Sequence, residues 1–82
     1  MNVAQLRLFA SAREAAGTAH DVVPGVTVDE VLRSAVSRFG SEFAMVLSTS
    51  RVWVNGEQAL GTTPVVDSDE VAVLPPVSGG AL

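Results

Sequence analysis

Only one stretch of this 82-residue chain carries a full helical stripe, and every other segment has to be fitted around it. Val28, Val31, Leu32, Ala35, Val36 and Phe39 recur at the i, i+3, i+4, i+7 spacing that makes one face of an α-helix apolar. Thr27-Val28-Asp29-Glu30 in front of them has the form of a capping box: the Thr27 hydroxyl accepts from the amide of Glu30, and the Glu30 carboxylate reaches back to the amide of Thr27. Gly40 behind them can take the left-handed cap, while Arg33 and Arg38 fall on the water side. A lone amphipathic helix cannot bury its stripe by itself and needs a sheet to lie on.

The sheet is supplied by short runs. Val3 to Phe9 alternates, with Ala4, Leu6 and Leu8 on one face, Gln5 and Arg7 on the other, and Phe9 on the polar side. Ser11 to Ala16 reads as a short helical turn ended by Gly17, and Thr18 to Val23 as a second strand closed by Pro24-Gly25. Glu42 to Leu47 predicts a further short helical piece over one end of the core. Arg51 to Val54 is a strand, Asn55-Gly56 a type I′ turn, and Glu57 to Leu60 its antiparallel return. Asp67-Ser68-Asp69 reads as a turn with solvated charges before the last strand, Glu70 to Leu74. The order strand, strand, helix, strand, short strand, strand predicts an α+β fold of the ubiquitin-like β-grasp kind, with one main helix packed on one face of a mixed sheet. Residues 1–74 are read as the β-grasp domain and residues 75–82 as an extended, flexible C-terminal tail.

That tail has no core to serve. Pro75 and Pro76 follow directly on the apolar run Val71-Ala72-Val73-Leu74 and withhold the backbone donors that further pairing needs. Gly79 and Gly80 carry no Cβ, so their backbone fits a channel too narrow for side chains. Extended at ~3.3 Å per residue, Pro75, Pro76, Val77, Ser78, Gly79 and Gly80 reach roughly 20 Å from the sheet.

Composition then removes whole classes of function. Nine acidic residues against five arginines leave a net charge of −4, which disfavours phosphate backbones and anionic membranes and favours a basic partner surface. No basic start followed by an apolar stretch and no run of ~20 apolar residues appears, so neither nucleic acid nor membrane is expected as a partner and the expected location is cytoplasmic. Cysteine is absent, which excludes a disulfide frame, a thiolate metal site and a nucleophilic thiol. Lysine is absent too, and with it Schiff-base chemistry and the Walker lysine of a nucleotide-binding loop. His20 is the only histidine and is read as a surface residue. Asp67, Asp69 and Glu70 lack the glycine and distal glutamate of a calcium loop, and no metal site is expected.

Leu8-Phe9-Ala10, Arg13-Glu14, Gly17-Thr18, Val54-Asn55-Gly56, Asp67-Ser68-Asp69-Glu70-Val71 and above all Pro75-Pro76-Val77-Ser78-Gly79-Gly80 together resemble the small subunit of molybdopterin synthase, among the ubiquitin-like sulfur carriers. The resemblance covers nearly the whole chain, and the shorter thiamin-pathway carriers, which lack the double proline, are the second choice. It implies a non-catalytic subunit with no bound cofactor, whose terminal glycine, here Gly80, is activated as an acyl adenylate by an E1-like adenylating enzyme that uses ATP. The adenylate becomes a thiocarboxylate, which enters the large synthase subunit and gives sulfur to a pterin precursor. The family pattern stops at the second glycine, whereas Ala81-Leu82 follows here. Carrier chemistry then requires a trimming peptidase acting between Gly80 and Ala81; an inactive paralogue or appended residues are the alternatives.

Phe9 and Leu74 are candidate anchors for a partner, supported by the resemblance, and Arg13 is a candidate cation for an acidic group on that partner or for Glu14. Trp53 is read first as ordinary packing and second as a contact residue. A carrier for another pathway of thiamin or cysteine type, a ubiquitin-like protein modifier and a non-catalytic interaction module remain open as further readings.

Overall fold

A computed structural model describes residues 2–76 of the chain. Along them run β1 (Val3–Leu8), α1 (Ala10–Ala16), β2 (His20–Pro24), α2 (Val28–Phe39), α3 (Ser41–Leu47), β3 (Arg51–Val54), β4 (Glu57–Gln58) and β5 (Glu70–Leu74). The strands form one sheet in the order β2-β1-β5-β3-β4. β1 and β5 are parallel at its centre, and every other pairing is antiparallel. This is the mixed-sheet β-grasp arrangement that the order of elements predicts.

Alternation decides which face is buried. Ala4, Leu6 and Leu8 of β1 and Val71 and Val73 of β5 point to one side and are buried. Val28, Val31 and Ala35 of α2 meet them there, with Leu32, Val36 and Phe39 half-buried at the margin. α3 is a core element: Phe43 is fully buried and meets Phe39 edge-on, with ring centroids 5.3 Å apart at 64°. Burying one side chain of the size of Leu6 or Phe43 contributes roughly 1.5–3 kcal/mol. Among the described residues no polar or charged side chain is buried, so the core closes by apolar contact alone.

The chain departs from the sequence reading mainly at the ends of elements. Thr27 does cap α2, accepting from the Glu30 amide at 3.2 Å, but the Glu30 carboxylate takes the amide of Val26 at 3.0 Å and not that of Thr27. The segment before the helix is held against residues 63–65, with the Val65 amide on the Val26 carbonyl at 2.9 Å and the Val28 amide on the Thr63 carbonyl at 3.0 Å, and this presents Val26 to Glu30. Gly40 has φ 99° and ψ −173°, outside the left-handed helical well, because the chain passes straight into α3. Arg38 is not left to water: it donates to Asp21 at 2.7 Å and to the Val22 carbonyl at 3.0 Å. β1 stops at Leu8 because Phe9 serves as the N-cap of α1. β4 stops at Gln58, short of the expected Leu60, because the Leu60 amide is taken by the Thr63 hydroxyl at 3.0 Å and the strand turns away.

Asp67, Ser68 and Asp69 also do more than sit in solvent. Asp67 accepts from the amide of Val3 at 3.1 Å, and Asp69 accepts from the amide of Val66 at 2.9 Å and the side-chain amide of Asn55 at 3.0 Å. Asn55 in turn accepts from the Glu70 amide at 2.9 Å, tying the β3–β4 turn to the start of β5. Asn55 and Gly56 both have positive φ, 50° and 86°, as a type I′ turn requires. No helix among the described residues is long and apolar enough to cross a membrane.

A Cβ at Gly25 would lie 2.7 Å from the Val31 amide nitrogen, inside the junction between β2 and α2. Gly25→Ala is therefore expected to lower the unfolding free energy by about 1–3 kcal/mol, read by urea denaturation. The amide of Val66 and the side chain of Asn55 hold the Asp69 carboxyl below its ordinary pKa, and the Arg38 guanidinium does the same for Asp21. Groups depressed in the folded state contribute stability above their unfolded value of about 3.9, and that contribution is lost as pH falls through the folded values. Thermal midpoints should therefore drop on acidification below about pH 4, with a shallower drop in Asp21→Asn and Asp69→Asn; an unchanged slope in both variants contradicts this assignment.

Candidate functional site: the tail exit and its docking face

β5 lies between β1 and β3, so the segment that follows it leaves from the middle of the sheet and not from an edge. Leu74 is the last paired residue, opposite Arg51 of β3, and on the other side the Phe9 amide reaches the Val73 carbonyl at 3.3 Å. Pro75 and Pro76 follow without a strand partner, Pro75 half-buried and Pro76 exposed. The missing N–H groups of the two prolines end the ladder there.

The face of the sheet opposite the helices carries the alternate residues. Ala72 stands opposite Trp53 on one side and Arg7 on the other, and Leu74 follows two positions along on the same face. With Phe9, Gly56 and Glu70 these side chains line a shallow groove of about 250 Å³ immediately before the tail exit. Phe9 is 43% and Leu74 37% exposed, and Trp53 is half-buried. A large aromatic ring left half in water beside two exposed apolar side chains makes this face a candidate contact surface. Arg7 pairs with Glu70 at 3.3 Å on the same face, with both side chains about half exposed, a geometry that contributes little to stability.

The structure brings Phe9, Leu74 and Trp53 together in one groove. Ala72, Gly56 and Glu70 are not assigned to this face by the sequence. The period-two alternation of β5 was the available signal for Ala72 and Glu70, whereas Gly56 enters only through the folding back of the β3–β4 turn. Arg13 is exposed on α1, the helix that Phe9 caps, and makes no ion pair among the described residues. Val77, Ser78, Gly79, Gly80 and Ala81, the insertion, carrier and processing positions, lie outside the described residues. His20 is exposed and its Nε2 lies 2.7 Å from the Gln5 side-chain oxygen, a surface contact. Among the described residues no group of His, Asp and Glu side chains is placed to hold a metal ion.

Comparison with known proteins agrees with this architecture. The model of the ThiS family matches residues 6–80. Small archaeal modifier protein 1 from Haloferax volcanii is similar over 96% of this chain and 100% of its own, with 29% identity and a TM-score of 0.86. The protein of the same name from Methanosarcina acetivorans is 31% identical over 98% of both chains, with a TM-score of 0.84. A chain of the complex of subunits 1 and 2 of molybdopterin-converting factor from Helicobacter pylori is similar in fold, at 22% identity over 95% of this chain and 99% of its own, with a TM-score of 0.69. No curated protein matches the chain. With the family match running from β1 through the double glycine of the tail, the chain belongs to the ThiS family of ubiquitin-like sulfur carriers and modifiers.

Proposed function

We propose that this protein is a sulfur carrier of molybdenum cofactor biosynthesis, acting as the small subunit of molybdopterin synthase with Gly80 as the carrier residue once Ala81-Leu82 has been removed. The observation that carries the reading is the apolar groove of Phe9, Trp53, Ala72 and Leu74 beside the point where the central strand releases a Pro-Pro-Val-Ser-Gly-Gly segment. A partner seated on that groove would receive the tail in a fixed direction, since β5 is paired with β1 as far as Val73 and with β3 as far as Leu74. An E1-like enzyme transfers AMP from ATP to the Gly80 carboxylate and releases pyrophosphate; a sulfur nucleophile then displaces AMP and leaves the thiocarboxylate. This step is needed because a free carboxylate is a poor electrophile. The chain contributes the transferred group and the docking face, and with no cysteine or lysine of its own it leaves the catalysis to its partners.

The resemblance to the small archaeal modifier proteins favours a second reading, in which the same activated Gly80 is passed to a lysine of another protein. Both readings use one adenylate and diverge at the acceptor, sulfur in the first and an amine in the second.

The intact mass of the protein recovered from its native cells tests the carrier reading. A species ending at Gly80 and about 16 Da heavier, for oxygen replaced by sulfur, is the expected result. A chain found only at full length and unshifted would overturn it, and isopeptide-linked adducts on other proteins would select the modifier reading. Exchanging the docking anchor Leu74 for aspartate should weaken binding to the large synthase subunit by about tenfold or more in calorimetric titration. The same change should alter the unfolding free energy by under about 1 kcal/mol, because the side chain is exposed.

A further inference from the structure

β2 is an outer strand of the sheet, and an open outer strand is a template for another strand. Its pairing with β1 determines which of its groups face outward. The Leu8 amide on the Ala19 carbonyl at 2.9 Å and the Gly25 amide on the Asn2 carbonyl at 3.2 Å put residues 19, 21, 23 and 25 in the hydrogen-bonded pairs. By antiparallel alternation the N–H and C=O groups of His20 and Val22 then point away from β1, along the free edge.

Those groups are already taken by side chains. The Val22 amide donates to Asp21 Oδ1 at 2.8 Å, and the Val22 carbonyl accepts from Arg38 Nη1 at 3.0 Å. The same Arg38 nitrogen donates to Asp21 Oδ2 at 2.7 Å, so one guanidinium of α2 holds both the carboxylate and the carbonyl. The Thr18 hydroxyl donates to the His20 carbonyl at 2.9 Å and accepts from the His20 amide at 3.4 Å. The next outward position is Pro24, which has no N–H. Every outward donor of β2 is therefore engaged or absent. The opposite outer strand, β4, is two residues long, and Thr63 turns the chain away after it.

We propose that Thr18, Asp21 and Arg38 form a lock that closes the β2 edge to strand addition, so that copies of the chain do not pair edge to edge. The lock explains why an ion pair bridges α2 and β2 at a place where the core beneath is already filled. It also explains the 40% exposed Val22: an apolar residue on a sealed edge offers contact area without backbone groups to capture a strand. The inference does not depend on sulfur transfer.

Removing the lock tests it. The double variant Asp21→Ala, Arg38→Ala frees both outward groups of Val22, and its self-association constant in sedimentation equilibrium should rise at least about tenfold over the parent. Adding Val22→Pro to that variant withdraws the donor again and should return it to the parent's state of association. A double variant that associates no more than the parent, or association that Val22→Pro fails to reverse, overturns the proposal. In the unmodified protein, the Val22 amide should exchange with deuterium more slowly than that of Gln58, which faces outward on the opposite edge; equal or faster exchange at Val22 would also overturn it.

Discussion

The parallel pairing of β1 with β5 is the constraint from which the rest of the molecule follows. Leu6 stands beside Val71 and Leu8 beside Val73, and these four buried side chains form the middle of the core floor. Two parallel neighbours cannot be joined by a tight turn, so the chain between them has to cross over one face of the sheet. α2 makes that crossing, and its apolar stripe covers the floor. β2 and β3 then add on either side of the central pair, which leaves β5 hydrogen-bonded on both flanks and sends the C-terminal segment out from the centre of the sheet.

The two ends of β5 are treated differently. Its beginning is pinned by polar contacts: Asn55 accepts from the Glu70 amide, Asp69 is held by Asn55 and Val66, and Asp67 reaches the amide of Val3. Among the described residues its far end has no such clasp, only Phe9, Trp53 and Leu74 around a groove and two prolines that cannot donate. The polar clasp thus sits at the start of β5, and the apolar groove at its end.

Much of this was legible without a structure. The helix over residues 28–39, the strand alternation of β1, the Asn55-Gly56 turn and the halt at Pro75 are local features, each set by near neighbours in the sequence. Pairing of Phe9 with Leu74 was legible as a shared exposed character, although 65 positions separate them. What was not legible involved groups that find partners far along the chain. Arg38 looked like a solvated helix residue because its neighbours on α2 give no hint of β2. The Asp67–Asp69 turn looked like free charge for the same reason, and the helical piece over residues 42–47 was legible as a cover for one end of the core, but not the edge-on contact of its buried Phe43 with Phe39.

The sequence by itself determined the element order, the β-grasp class, the absence of any cysteine or lysine chemistry and a C-terminal segment that carries Gly79-Gly80. These depend on periodicity, turn chemistry and residue inventory, which are properties of short windows. Only the tertiary structure decided that β5 runs through the centre of the sheet, that Trp53 and Ala72 join Phe9 and Leu74 in one groove, and that Arg38 seals the edge at Val22. Each of these depends on strand register and on the placement of α2 across the sheet, and register is fixed by burying one face of every strand at once, a condition that no single segment carries.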